Sequence, residues 1–249
     1  MSDLTWDTLY TDHADAYETL VSHEDYEGNL PRAIETIQPL AGGVAAEFGC
    51  GTGRVTGLLT GRVRRIHSFD LTLSMLRMAQ QNQARKGWEN ATLAQADSRC
   101  MPVRSGWADF AIQGWAFLQI AVWHWDDWQI QLGRALDEMG RLVRPGGKLI
   151  LIETLGTGEL TPNPAAQFRT IYDFLEQERG FRPQAIRTDY RFENMGQIDE
   201  VVLPLFGIEM LERLIRTPDG IVVPECTGLW WKDNPAHDEA ARSAPTSHG

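Results

Sequence analysis

The sequence predicts a doubly wound α/β fold: a mainly parallel sheet with helices on both faces. Three observations lead there. Short apolar runs of strand length alternate with segments of helical period from about residue 44 onward. A glycine-rich turn, Gly49-Cys50-Gly51-Thr52-Gly53, follows the first such run directly. Finally, the polar residues best suited to chemistry stand just after the runs, where sheets of this kind bind ligands.

The first 40 residues have helical character, with Leu4, Leu9, Tyr10, Ala14, Tyr17 and Val21 recurring on one face and Pro31 suited to the first turn of a second helix. Val44–Phe48 and Arg65–Phe69 read as buried strands, the second closed by Asp70. Thr72 can cap a helix to about Arg85 that buries Leu73, Leu76 and Ala79. Strands follow at Ala91–Ala96 and Ala108–Gln113, then a helix capped by Asp126-Asp127 that reaches Val143. Pro145-Gly146 predicts a type II turn before a central strand, Lys148–Thr154. Asn163-Pro164 should cap a helix to about Arg179. A strand over Ala185–Phe192, a helical stretch over Glu193–Leu214 broken near Pro204 and a last strand over Gly220–Trp231 complete the pattern. That makes seven strands in a single domain over residues 1–232, with 233–249 a mobile polar tail.

With 249 residues the chain can bury a core that needs no disulfide or metal. The net charge of −11 argues against a nucleic-acid partner, and the short cluster Arg62, Arg64 and Arg65 reads as solvated surface. Cys50, Cys100 and Cys226 are odd in number and far apart, which fits a reducing compartment and no zinc site. No signal-peptide pattern follows Met1, so a cytoplasmic monomer or homodimer is expected. The longest apolar stretch, Ala108 to Trp125, carries Asp109, Gln113, Gln119 and His124; it is too polar for a membrane span and reads as a strand followed by a loop.

The glycine loop narrows the ligand. Its spacing fails the dinucleotide pattern GxGxxG, since Arg54 and Thr56 stand where a third glycine would fall, and no Gly-Lys-Ser/Thr follows as in a phosphate-binding P-loop. Glu47-x-Gly49-x-Gly51-x-Gly53 instead resembles the first motif of class I S-adenosylmethionine-dependent methyltransferases, in the small-molecule, type 11 subgroup. The resemblance implies a Rossmann-like fold with an N-terminal helical lid (residues 1–40), a cofactor-binding half (41–155) and a substrate-side half (156–232). It further implies that Gly49, Cys50, Gly51 and Gly53 wrap the methionine and ribose portions of the cofactor, and that Glu47 helps hold its amino end. Asp70 would bond both ribose hydroxyls, with Leu71 and Met75 beside it; Asp97 would accept the adenine amine, next to Ser98; and Gln113 would meet the cofactor at the end of the fourth strand. Tyr10 and Tyr17 would lie over it from the lid. Two acceptor oxygens facing a vicinal diol is sound chemistry for Asp70; the lesser alternatives are that Asp70 merely caps the following helix and that Asp97 is a plain turn residue. The likeness spans roughly residues 8–232 and leaves the acceptor open.

Methyl transfer from a sulfonium needs alignment and exclusion of water, and a base only for some acceptors. His124, Glu153 and Tyr17 are the candidate catalytic groups, with His13 weaker; His124 could instead be a surface histidine and Glu153 half of an ion pair. The aromatic run Gly114 to Trp125 is a candidate wall for a partly apolar substrate, or simply packs the domain edge. No Asn-Pro-Pro-Tyr motif follows the fourth strand, which counts against adenine methylation in DNA. Three functions are therefore in play: methylation of a small metabolite, methylation of RNA or protein, and cofactor binding without catalysis.

Overall fold

The computed structural model describes residues 14–235, with residues 14–17 described by backbone alone. It opens with two helices, α1 (Ala14–Ser22) and α2 (Asn29–Ile37). Then β1 (Val44–Phe48), α3 (Arg54–Leu59), β2 (Arg65–Asp70), α4 (Leu73–Lys86), β3 (Ala91–Gln95) and β4 (Ala108–Gly114) alternate as expected. After α5 (Phe117–Trp123), α6 (Trp128–Leu142), β5 (Val143–Thr157) and α7 (Ala166–Asp173), the chain forms β6 (Arg182–Arg187), β7 (Tyr190–Phe192), β8 (Ile215–Thr217), β9 (Gly220–Val223) and β10 (Glu225–Asp233).

Seven strands form one sheet in the order β3-β2-β1-β4-β5-β10-β6. The first five run parallel, and β10 pairs antiparallel with both β5 and β6. From β1 the chain winds outward to β2 and β3, then returns to place β4 on the other side of β1. This reversal opens a crevice at the carboxyl ends of β1 and β4, where open sheets of this type take their ligands. Apolar layers cover both faces. One holds Trp128, Leu132 and Met139 of α6 against Phe48, Leu149 and Trp230; the other holds Ile34 of α2 and Leu59 of α3 against Phe110, Ile112 and Ile150. The indole of Trp230 stacks on Tyr172 at 4.4 Å and its Nε1 donates to Glu176, so a fully buried tryptophan keeps its polar edge satisfied.

Several boundaries differ from the sequence reading, each for an identifiable reason. The expected strand over 185–192 is two strands, because Thr188 and Asp189 turn the chain out of the main sheet: Asp189 accepts from the Arg187 guanidinium and from Glu225 N–H. The expected last strand breaks at Pro224, which has no N–H for the ladder. The freed pieces β7, β9 and β8 form a second, three-stranded sheet over their own core, which includes Phe192, Ile198 and Val202. The helical stretch after Glu193 breaks at Gly207 (φ 82°) rather than at Pro204, which sits in a first helical turn where its missing N–H does no harm. The loop after β4 contains a helix, α5. Leu73 is exposed, so α4 buries Met75 in its stead, beside Leu76 and Ala79. Thr72, Asp127 and Asn163 supply no side-chain cap to their helices. Residue 233 does not begin a free tail: Asn234 donates from its amide to Gly140 O and Val143 O and from its backbone to Gly147 O.

Trp88 fixes where α3 lies. A Cβ on Gly53 would come within 2.5 Å of its indole and one on Gly57 within 2.7 Å, so both glycines are spaces for one ring. Gly57→Ala should gain about 1 kcal/mol of helix propensity in isolation. In the protein it is expected to lower stability by about 1–3 kcal/mol through overpacking, measured by urea unfolding, and Gly57→Ala combined with Trp88→Leu should recover most of that loss.

Candidate functional site

The crevice at the carboxyl ends of β1, β2 and β4 holds a cleft of about 190 Å3. It is lined by Glu47, Gly49, Cys50, Gly51, Asp70, Leu71, Met75, Asp97, Ser98 and His124, among others, so the structure brings together most of the residues singled out from sequence. Gly49 and Gly51 have φ of 64° and 55°, the left-handed region that glycine enters at little cost. A Cβ on Gly49 would lie 2.4 Å from the Cβ of Ala116, whereas the space beside Gly51 is open to the cleft.

Asp70 closes β2 with its carboxylate held at both ends: Oδ2 accepts from Gly51 N at 2.7 Å and Oδ1 from Thr72 N at 2.7 Å. Each oxygen keeps a second lone pair. Burial holds its carboxyl above the usual range, against the pull of these two N–H groups. Glu47 serves a different end. It is buried, Oε1 accepts from Thr56 N at 3.1 Å, and Oε2 accepts from Thr56 Oγ1 at 2.5 Å and Ser68 Oγ at 2.7 Å. Its carboxyl thus anchors the first turn of α3, and burial pushes it up to about 7. Burial likewise pushes the Cys50 thiol up, which keeps it inert.

Three of the expected site residues are engaged within the chain. Both carboxylate oxygens of Asp97 are engaged by Arg99, at 2.9 and 3.2 Å from Nε and 2.6 Å from Nη2, and this guanidinium holds the acid below its ordinary range. His124 Nε2 lies 2.8 Å from Arg99 Nη1. A guanidinium can only donate, so the imidazole lone pair that a base would use is taken up. Gln113 is fully buried: Oε1 accepts from Ala116 N at 3.0 Å and Nε2 donates to Glu153 at 3.0 Å, so its amide shapes the turn after β4 and does not line the cleft. Tyr10 and His13 lie outside the described residues, as does the side chain of Tyr17, whose backbone belongs to α1.

Glu153, on β5, faces a second chamber of about 600 Å3 that adjoins the cleft. Its Oε1 accepts from Gln113 Nε2, Phe117 N and Leu118 N, and burial pushes its carboxyl up to about 8. Arg54, Trp115, Gln119 and Trp123 line both cavities. The sequence reading passed over Arg54, whose guanidinium lies 3.2 Å from the centre of the Trp115 ring and pairs with Glu24. Trp115 itself has a φ of 54°. The signal for Arg54 is weak in sequence, because an arginine beginning a helix gives no hint of an aromatic face arriving from 61 residues onward.

The lining chemistry selects the ligand class. Asp70, Glu47 and Asp97 bring carboxylates to the cleft, while its two arginines are tied to Asp97 and Glu24. Glu47 favours its protonated form and Asp97 is paired with Arg99, so Asp70 is the carboxylate that offers acceptor lone pairs, which suits a ligand with vicinal hydroxyls. The fold is Rossmann-like, with the cleft at its topological switch point. Comparison with known proteins agrees. Residues 46–151 match the family model described as a methyltransferase domain. The chain is 32% identical over 114 residues to the malonyl-[acyl-carrier protein] O-methyltransferase of Pseudescherichia vulneris, covering 46% of this chain and 39% of that protein. It is 22% identical over 147 residues to the demethylmenaquinone methyltransferase of Anoxybacillus flavithermus, covering 58% of each. The chain thus spans less than two thirds of either relative's length. The YcgJ protein of Bacillus subtilis has the same fold, with a TM-score of 0.55 at 13% identity over 85% of this chain and all of that one. Residues 46–151 are an S-adenosylmethionine-dependent methyltransferase domain of type 11, and S-adenosylmethionine is the methyl donor such a domain takes. No helix among the described residues is long and apolar enough to cross a membrane.

Glu47 and Glu153 hold protons in the folded chain that their unfolded forms release near 4.5. Stability should therefore fall as pH rises from about 4.5 towards 8, by at most about 1.4 kcal/mol per pH unit for each group. Glu153→Gln, which stays neutral and keeps an acceptor oxygen, is expected to flatten that slope when urea midpoints are compared at pH 5 and pH 8. Glu153→Leu strands three buried donors and should lose about 3 kcal/mol at either pH.

Proposed function

We propose that this chain transfers a methyl group from S-adenosylmethionine to a small, partly apolar acceptor held in the second chamber. The observation that carries the reading is the shared wall: Arg54, Trp115, Gln119 and Trp123 face both cavities, so a group bound in one abuts a group bound in the other. When bound, the donor supplies an electrophilic methyl group that needs no acid to release it. The chain's own work is then alignment and exclusion of water.

In this reading Asp70 takes the ribose diol on its two free lone pairs, the open space beside Gly51 admits the ligand to the backbone, and Met75 packs beneath it. Leu118, Trp115, Trp123 and Phe168 give the acceptor an apolar bed. His124 is a positioning residue, bound through Arg99 to Asp97 at the far side of the cleft. A net charge of −11 favours a small acceptor over a nucleic acid.

Calorimetry with S-adenosylmethionine, S-adenosylhomocysteine and NAD tests the proposal. Both adenosyl ligands should bind and NAD should not; failure of both to bind at millimolar concentration would overturn it. Asp70→Ala is expected to weaken adenosyl-ligand binding by more than about tenfold, since two charge-assisted hydrogen bonds are lost. It should also lower the melting temperature without ligand, because Gly51 N and Thr72 N lose their acceptor.

A further inference from the structure

The second chamber has a polar feature that its apolar walls do not explain. Glu225, the first residue of β10, lines it at the seam between the two sheets. Its Oε1 accepts from Thr154 Oγ1 at 2.8 Å, and Thr154 Oγ1 in turn accepts from Gly156 N at 3.2 Å, so one half of the carboxyl is fixed. The other half is not: Oε2 is buried and has no hydrogen-bond partner among the described residues. The side chain is 2% exposed. A buried carboxyl oxygen without a donor costs about 1–3 kcal/mol or more, so its retention calls for a partner supplied from elsewhere.

We propose that Glu225 Oε2 is the recognition point for the acceptor, and that it takes acceptors whose apolar body carries a hydrogen-bond-donating head group, O–H or N–H. The inference rests on the proposed reading of this chamber as the acceptor site. Three observations support it. Glu225 is held rigidly by Thr154, so its free oxygen has a fixed place. Leu118, Trp123, Phe168 and Phe206 of the same wall offer an apolar body a bed beside that oxygen. The other carboxyl of the chamber, Glu153, has its Oε1 saturated by three donors. Burial pushes the Glu225 carboxyl up to about 7. The neighbouring Thr157 hydroxyl tempers that rise but makes no hydrogen bond to Oε2.

The test uses the full chain and three probes of one shape: 2-naphthol (an O–H donor), 2-naphthylmethylamine (an N–H donor) and 2-methoxynaphthalene (no donor), titrated by calorimetry without cofactor. For the unaltered chain, at least one donor probe should bind about tenfold or more tightly than the methoxy compound, and the tighter of the two identifies the head group. In Glu225→Leu all three should bind within about twofold of one another, while Glu225→Gln, which keeps an acceptor oxygen, should retain part of the preference. Equal binding of all three to the unaltered chain, or a preference that survives Glu225→Leu, overturns the proposal. The first comparison needs no variant, so it holds even where Glu225→Leu folds poorly. Failure of the chain to bind S-adenosylhomocysteine would overturn the donor reading and leave the probe result standing on its own.

Discussion

Much of this molecule hangs on one oxygen atom. Glu153 Oε1, deep at the end of β5, gathers Gln113 Nε2 from β4 and the backbone N–H groups of Phe117 and Leu118. Those contacts clamp the start of α5 onto the sheet. With the helix fixed and Gln113 holding Ala116 N, the turn between has little choice, and Trp115 is forced into a left-handed conformation that a bulky residue adopts only under constraint. The indole then stands as a partition between the two cavities, with Arg54 stacked upon it. The separation of the two cavities thus follows from a buried hydrogen-bond cluster centred on one carboxyl oxygen.

The same cluster shows which parts of the site were legible in sequence. The glycine loop and Asp70 were readable because their roles are local: positive φ at Gly49 and Gly51, and a carboxylate at a strand end, follow from a few neighbouring residues. The partners of Gln113 and His124 were not legible because they come from far along the chain, whereas that of Asp97 is Arg99, two residues on. Nothing near Gln113 announces Glu153, 40 residues on, and nothing near His124 announces Arg99. Strand positions were similarly clear wherever an apolar run met a sheet neighbour on both sides. They failed at 185–192 and 220–231, where the corner at Thr188-Asp189 and the missing N–H of Pro224 lead one continuous pattern into two sheets.

Electrostatics follow a consistent division. Carboxyls that build the scaffold, Glu47 and Glu153, are desolvated and satisfied by neutral donors, so they favour the protonated form. Asp97 is paired with a cation and stays ionised. Arg99 then reaches on to His124 and Gln131, tying the loop after β3 to α5 and α6. The far edge of the cleft is stiffened by charge, while its near edge is stiffened by glycine geometry and backbone N–H groups.

One feature of the layout bears on how such a protein can change. Every residue lining the first cleft lies between Glu47 and His124, whereas the second chamber also draws on Gln167, Phe168, Tyr190, Phe206 and Glu225. The matched family domain stops at residue 151. The two cavities share a wall, but only the second reaches into the later stretch of chain, so change there can reshape one cavity and leave the lining of the other as it is. The order in which the chain is threaded thus leaves part of one cavity free to vary on its own.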